Sequence, residues 1–118
     1  MINVDKEVRK ALKDATGLEV YPDKFVNSDT EIPCISYSEY DNSSLVEGDK
    51  IGYSTVIYHI KIWTNDLSEA DKIASIVDST MRMNGFIRNN KSDLWYNDVL
   101  QRALKYTAKG LENFVEVK

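Results

Sequence analysis

The chain has few of the features that would place a protein outside the cytosol. It has one cysteine, Cys34, which excludes an intramolecular disulfide and fits a reducing compartment. No apolar run approaches the roughly 18 residues of a membrane span. Residues 1–7 lack the charged-then-apolar pattern of a signal peptide. With 118 residues the chain is long enough for one hydrophobic core, so we predict a single domain, residues 1–118. Because it lacks a membrane-spanning run, we predict no membrane partner.

Clusters of basic residues are also missing. The 15 Lys and Arg residues are spread among 19 Asp and Glu residues, which gives a formal net charge of −4 and a pI near 5.0. Proteins that bind nucleic acid without sequence specificity neutralise its phosphates with clustered Lys and Arg. The sequence therefore predicts no nucleic-acid binding of this kind, and it contains no motif for specific binding.

Residues for catalysis are scarce. His59 is the only histidine, and therefore the only side chain with an unperturbed pKa near neutrality. A catalytic histidine needs an orienting carboxylate and a nucleophile, and no motif places a Ser or Cys beside this one. Cys34 lacks the nearby positive charge that activates a thiolate, so we expect it to be buried as a small hydrophobe. We predict no catalytic residue and no enzymatic activity.

Metal and cofactor sites are not indicated either. Four acids flank one polar loop: Glu39, Asp41, Glu47 and Asp49. Their spacing matches no calcium loop, and no His/Cys set with zinc spacing occurs. A carboxylate pair for acid–base chemistry stays open, with a solvated acidic loop as the default. The five glycines are isolated at predicted element ends, so no phosphate-binding loop is expected. We predict no metal and no cofactor.

The hydrophobic pattern changes period between a strand and a helix. In residues 54–62 every second side chain contributes to one mostly apolar face. The next apolar residues have helical spacing: Ala70, Ile73, Ala74, Val77 and Met81. Ser68 and Asp71 resemble a capping box at the start of this helix. A long strand followed by such a helix is typical of an α+β domain whose helices pack on one face of a sheet.

The other segments complete the order α-β-β-β-α-β-β, which is a mostly antiparallel sheet with two α-helices packed on it. The predicted elements are a first helix ending at Gly17, strands over 18–21, 33–40 and 51–63, a helix over 68–83, a short strand over 86–89 followed by a turn over 90–93, and a final pair of strands over 94–96 and 99–109, which are the two strands that the order counts after the second helix. Residues 41–50 form a long polar loop. Residues 111–118 form an edge strand or an arm.

One face of the long strand raises the question of what covers it. Tyr53, Ile57 and Trp63 lie on the odd-numbered face, which is exposed if both helices cover the other face. An apolar sheet face without its own cover points to a protein partner. The alternative is that the C-terminal arm or the 41–50 loop covers it. The candidate interface residues are Asp41, Glu47 and Asp49 in the loop and Tyr53, Ile57 and Trp63 on the strand.

Several segments together carry a resemblance to a known family. They are the first helix ending in glycine, IPCISYSEY (32–40), a long polar loop, YSTVIYHIKIWT (53–64), SEADKIASIVDSTM (68–81) and YNDVLQRALKYTAKG (96–110). Over nearly its whole length the chain resembles the small tail-completion proteins (tail-terminator or head–tail joining proteins) of long-tailed phages and prophages. The resemblance is one of overall pattern, since this family has no catalytic signature. Residues 111–117 form a longer apolar stretch than is typical of it.

This resemblance implies a non-enzymatic structural role. Such proteins are α+β subunits of a ring of about six copies, held by head-to-tail contacts whose rotation closes. The ring completes the tail and joins it to the head, so the implied partners are other copies of the chain, the tail-tube protein and the head connector protein. The implied location is the virion tail or neck, with assembly in the host cytoplasm. DNA passes through the ring, and an acidic protein suits a pore that repels it.

A second hypothesis from the residues belongs to a different class. The chain is then a small α+β ligand-binding or regulatory module whose long loop closes over a small molecule. In this hypothesis Tyr37, Tyr58 and Trp95 line the pocket.

Overall fold

The computed structural model describes the backbone of residues 4–44 and 53–109, and the side chains of residues 6–39 and 56–107. Its elements are α1 (Val4–Thr16), β1 (Val20–Pro22), a 3-10 turn (Asp23–Phe25), β2 (Cys34–Ser44), β3 (Tyr53–Thr64), α2 (Leu67–Met83), β4 (Ile87–Tyr96) and β5 (Val99–Lys109). The strand order is β1-β2-β3-β5-β4, with β1 parallel to β2 and every other pair antiparallel. This confirms the predicted α+β class.

The core lies between the two helices and one face of the sheet. Tyr58, Ile60 and Ile62 of β3 are fully buried there, as the alternation of the sequence predicted. Other core members come from both helices and from the neighbouring strands: Val8, Leu12, Val20, Ile35, Tyr37, Ile73, Ala74, Val77, Met81, Phe86, Leu104 and Tyr106. We call this side the helix-covered face and the opposite side the helix-free face. Neither of the two described helices has the long apolar stretch that crossing a membrane requires.

The start of α2 differs from the prediction. The residue that caps this helix is Asp66, two residues before the predicted Ser68. The Asp66 carboxylate accepts hydrogen bonds from the backbone N–H of Ser68 at 2.9 Å and of Glu69 at 3.3 Å. Asp66 has the extended backbone of a cap residue, whereas Ser68 already lies inside the first turn. The predicted Ser68–Asp71 capping box is therefore wrong.

Replacing Asp66 by alanine tests this assignment. The variant loses the acceptor for two N–H groups at the helix start, so we expect its free energy of unfolding to fall by about 1 kcal/mol. Ser68→Ala is the matched control, and we expect it to change stability by less than about 0.5 kcal/mol. Urea denaturation of both variants provides the measurement. If Ser68→Ala lost more unfolding free energy than Asp66→Ala, the result would support the predicted capping box instead.

The region between residues 86 and 96 is one continuous strand. The sequence predicted strands over 86–89 and 94–96 with a turn over 90–93, but β4 runs unbroken from Ile87 to Tyr96. Its only irregularity is a bulge between Arg88 and Asn90. The turn-forming residues are held extended because they pair along β5, with Asp93 opposite Arg102. Tertiary pairing overrides local turn preference here.

Two other strands, β2 and β1, also have bounds that differ from the prediction. β2 continues through Ser44, so the first four residues of the predicted 41–50 loop are strand paired with β3. β1 is shifted to Val20–Pro22, and Pro22 fits as the last residue of an edge strand. Residues 45–52 and 110–118 lie outside the described residues, and the predicted arm or strand over 111–118 is among them.

Candidate protein interface

The helix-free face of β3 carries two of the predicted interface anchors. Ile57 and Trp63 both lie on it and are half-buried. His59 and Lys61 lie between them on the same face, also half-buried. Tyr53 is the first residue of β3, where it pairs with Ser44, but its side chain lies outside the described residues. The predicted orientation of Ile57 and Trp63 is observed, while their binding role stays a prediction.

Residues 23–33 lie against one end of this face. Asp23 forms an ion pair with Lys61 at 3.2 Å. Near the same end Cys34 and Ser36 of β2 are almost completely buried, although both point away from the helices. Sequence reasoning considered only the C-terminal arm, the 41–50 loop or a partner as cover. Within the described part of the chain, part of the cover comes from residues 23–33 instead.

Trp63 is fixed in place by two contacts. Its indole N–H donates a hydrogen bond to the hydroxyl of Ser36 at 2.8 Å. Its ring stacks on Tyr96 at the end of β4, with ring centroids 6.1 Å apart and an interplanar angle of 23°. An amphipathic ring held in this way presents a preorganised apolar surface. Tyr96 itself is half exposed, so the stacked pair reaches the protein surface.

The stacked pair forms one wall of an apolar groove with a volume of about 520 Å³. The lining residues are Val26, Asn27, Ser28, Thr30, Ile32, Trp63, Tyr96, Asn97 and Val99. The apolar members form the walls and the short polar side chains offer hydrogen-bonding groups. No carboxylate, imidazole or thiol is among these lining residues, so the groove is suited to binding rather than acid–base chemistry.

β4 presents a second surface that sequence reasoning missed. It is an edge strand of the described sheet, and all ten of its residues are exposed. Ile87 is 70% exposed, and Leu94, Trp95 and Tyr96 are each 50% exposed. Three adjacent large apolar residues in the sequence were the available signal, but the predicted turn over 90–93 hid the strand that carries them.

The predicted loop contacts are placed only in part. Asp41 lies in β2, where its backbone pairs with Val56, rather than in a loop. Glu47 and Asp49 fall outside the described residues. The structure therefore does not bring these acids together with the anchors on β3.

The aromatic pocket of the second hypothesis is not formed. Tyr37 and Tyr58 are buried in the core with ring centroids 6.4 Å apart. Trp95 lies half exposed on the edge strand β4. Sequence reasoning was wrong here because the two tyrosines point into the helix-covered core, where they pack with neighbouring side chains instead of lining an open cavity.

The two titratable candidates, Cys34 and His59, both have pKa values shifted by burial. Cys34 is buried as predicted, and this burial raises the pKa of its thiol to about 11. The pKa of His59 lies below its usual value, first because of burial and then because Lys105 and Lys61 repel the imidazolium, with Asp23 opposing weakly. In the described residues no group of three or more His, Cys, Asp or Glu side chains is placed to hold a metal ion.

The lowered pKa of His59 predicts a pH dependence. As pH falls below the usual 6.5, the unfolded chain takes up this proton before the folded one does. Stability should therefore decline as pH falls from about 7 to about 5.5. Urea denaturation of the wild type and of His59→Gln at both pH values measures this decline in the free energy of unfolding. We expect a smaller decline in the variant. An NMR titration midpoint of His59 above 6.5 would contradict the predicted direction.

The described residues thus define a two-helix, five-stranded α+β domain with an aromatic groove and an exposed edge strand. No protein-family model and no curated protein matches the chain. Among solved structures, the fold is similar to that of a chain in the virion of a native gene transfer agent (GTA) particle. The TM-score is 0.62 and the sequence identity 12%, over 86% of this chain and 90% of that chain. At this identity the likeness shows a shared fold.

Proposed function

We propose that the chain is a non-enzymatic structural protein of a long-tailed phage or prophage, which forms a ring that completes the tail and joins it to the head. The observation that carries this proposal is the shared fold with a chain of a gene transfer agent virion, which extends over nearly the full length of both chains. The sequence resemblance to tail-completion proteins supports it from a separate direction.

The surfaces of the domain suit repeated contacts between subunits. A closed ring needs two different patches on each subunit, one that meets the preceding copy and one that meets the next. The groove beside Trp63 and residues 94–96 of β4, which share Tyr96, form one such apolar patch on the described part of the chain. Exposed apolar surface with polar surroundings is typical of protein contact sites. The net charge of −4 suits a ring through which DNA passes without sticking.

Partners and location follow from the proposed role. The chain meets other copies of itself within the ring, the tail-tube protein on one side and the head connector protein on the other. It resides in the tail or neck of the virion after assembly in the host cytoplasm. Because no catalytic step is involved, the role needs neither His59 nor Cys34 as a reactive group.

Deletion of the gene in a particle-producing strain tests the proposal. We expect filled heads and tails that are not joined, together with a loss of infectious or DNA-transferring particles, when lysates are examined by electron microscopy. The wild-type gene should restore joined particles. The His59→Ala variant should restore them equally, because no reaction depends on the imidazole. Normally joined, infectious particles from the deletion strain would contradict the proposal.

The size of the groove supports a second candidate function for the domain. Its volume of about 520 Å³ lies within the range of roughly 300 to 1,000 Å³ typical of small-molecule sites. In that case the domain is a ligand-binding or regulatory module, and an apolar small molecule stacks on Tyr96. A thermal-shift screen with metabolites distinguishes the two, since this candidate predicts a ligand whose stabilisation disappears in Tyr96→Ala. A screen without stabilising compounds would leave the structural role unopposed.

A further inference from the structure

The outer edge of β4 is open in the described sheet. β4 pairs with β5 on one side, and no described strand pairs with its other side. The backbone N–H and C=O groups along that edge therefore point away from the sheet. Such an edge is a template for an added strand, and proteins that remain monomeric usually protect it with bulges or charges.

Protection of this edge is confined to one half of the strand. The first half has the bulge between Arg88 and Asn90 and the positive charge of Lys91. The second half, residues 92–96, continues in regular register with β5 and carries Leu94, Trp95 and Tyr96, each half exposed. Its one acid, Asp93, is turned toward Arg102. The unprotected half also adjoins the groove, because Tyr96 is part of both.

We propose that residues 92–96 of β4 accept residues 111–117 of a second copy as an added strand. The inference rests on the proposed function for its premise that copies of the chain assemble with one another. The segment has the sequence LENFVEV, rich in the aromatic and β-branched residues that favour strands. Its Glu112 and Glu116 complement the positive charge of Lys91 next to the acceptor edge.

The length of the chain excludes a pairing of Val115 with Leu94 within one copy. β5 ends at Lys109, whereas Leu94 lies opposite Gln101, eight residues back along β5. At about 3.4 Å per residue this separation is about 27 Å. Val115 follows Lys109 by six residues and reaches at most about 21 Å from it. Val115 therefore cannot pair with Leu94 of its own copy.

The geometry also makes the contact directional. The donor segment follows Lys109 in the sequence, and β5 ends there at one end of the sheet, whereas the acceptor lies at the other end, where β4 meets the turn at Asn97. Donor and acceptor are different patches, so each copy can give to one neighbour and accept from another. This is the head-to-tail arrangement that closes into a ring when the rotation permits.

Disulfide trapping with the full-length chain tests the inference. Leu94→Cys and Val115→Cys variants are purified separately, mixed in equal amounts and oxidised. The native Cys34 should not compete, because it is buried with a thiol pKa of about 11. We expect a mixed 94–115 disulfide between two copies. Ile76→Cys on the exposed side of α2 replaces Leu94→Cys as the matched control, and we expect it to give less than about a tenth as much product with Val115→Cys.

Several outcomes would overturn the strand addition. A 94–94 disulfide as the main product would indicate that two β4 edges pair with each other instead. A 94–115 yield no higher than the 76–115 yield would indicate that residues 111–117 do not bind this edge. Neither result bears on the structural role, which the deletion strain tests on its own. If that strain makes unjoined heads and tails, the structural role stands even when the strand addition is overturned.

Discussion

The Ile60→Ala variant is expected to lose about 3 to 4 kcal/mol of unfolding free energy, which is a large fraction of the 5 to 15 kcal/mol typical of a domain. Ile60 is fully buried in the middle of β3, opposite Tyr37 of β2 and Leu104 of β5. Truncation to alanine removes apolar surface from the core and leaves a cavity that these neighbours fill only in part. Urea denaturation followed by tryptophan fluorescence provides the measurement.

Ile57→Ala is the matched control for this prediction. Ile57 lies on the same strand and has the same side chain, but it is half-buried on the helix-free face. We expect the loss to be about 1 kcal/mol, because less apolar surface leaves contact with its neighbours. Equal losses in the two variants would mean that the helix-free face is packed as tightly as the core. That result would contradict its assignment as a surface open to partners.

The second large loss of stability is expected when the carboxylate partners of Arg102 are removed. This side chain is 4% exposed and lies on the helix-covered face. Its guanidinium donates to both carboxylate oxygens of Asp93, at 2.9 and 3.0 Å, and to Asp71 of α2 at 2.6 Å. These bonds raise the pKa of Arg102, and the bidentate partner lowers the pKa of Asp93. The cluster joins α2, β4 and β5 through one buried charge.

Neutralising both Asp71 and Asp93 should leave the buried guanidinium of Arg102 without a negatively charged partner. The double variant Asp71→Asn/Asp93→Asn is expected to lose roughly 3 to 5 kcal/mol, because a buried guanidinium then lacks a carboxylate partner. Adding Arg102→Met to the double variant should recover much of this loss, since it removes the charge and retains apolar packing. Asp14→Asn, in an exposed pair with Lys10, is the control and should change the stability far less than the double variant does.

The recovery in the triple variant is the informative result. If the loss came from shape or packing alone, replacing Arg102 as well would add to it. If the loss came from an uncompensated buried charge, the triple variant should be more stable than the double variant. A triple variant less stable than the double variant would contradict the electrostatic explanation.

The sequence was sufficient for the fold class because the strongest elements have clean periodicity. The alternation of β3 and the helical stripe of α2 both bury the predicted face. Where the strand bounds were predicted wrongly, a partner strand decided the structure. β5 holds residues 90–93 extended against their turn preference, and β3 extends β2 through Ser44. Local propensity contains no information on these pairings.

The candidate interface was predictable only in part, for a similar reason. Alternation along β3 placed Ile57 and Trp63 on the helix-free face. It could not show that Trp63 bonds to Ser36 and stacks on Tyr96, because these residues are far apart in sequence and meet through the strand order. The open edge of β4 was missed because an edge strand is defined by the missing neighbour. That property belongs to the sheet rather than to the residues.

The proposed ring can be detected by counting the copies of this protein in purified particles and by locating them. Quantitative mass spectrometry of washed particles, combined with cryo-electron microscopy of particles carrying a tagged chain, measures both copy number and position. We expect about six copies per particle, the number that the resemblance to tail-completion proteins implies, with the tag density forming a ring where head and tail meet. Complete, joined particles that contain none of the protein would contradict it.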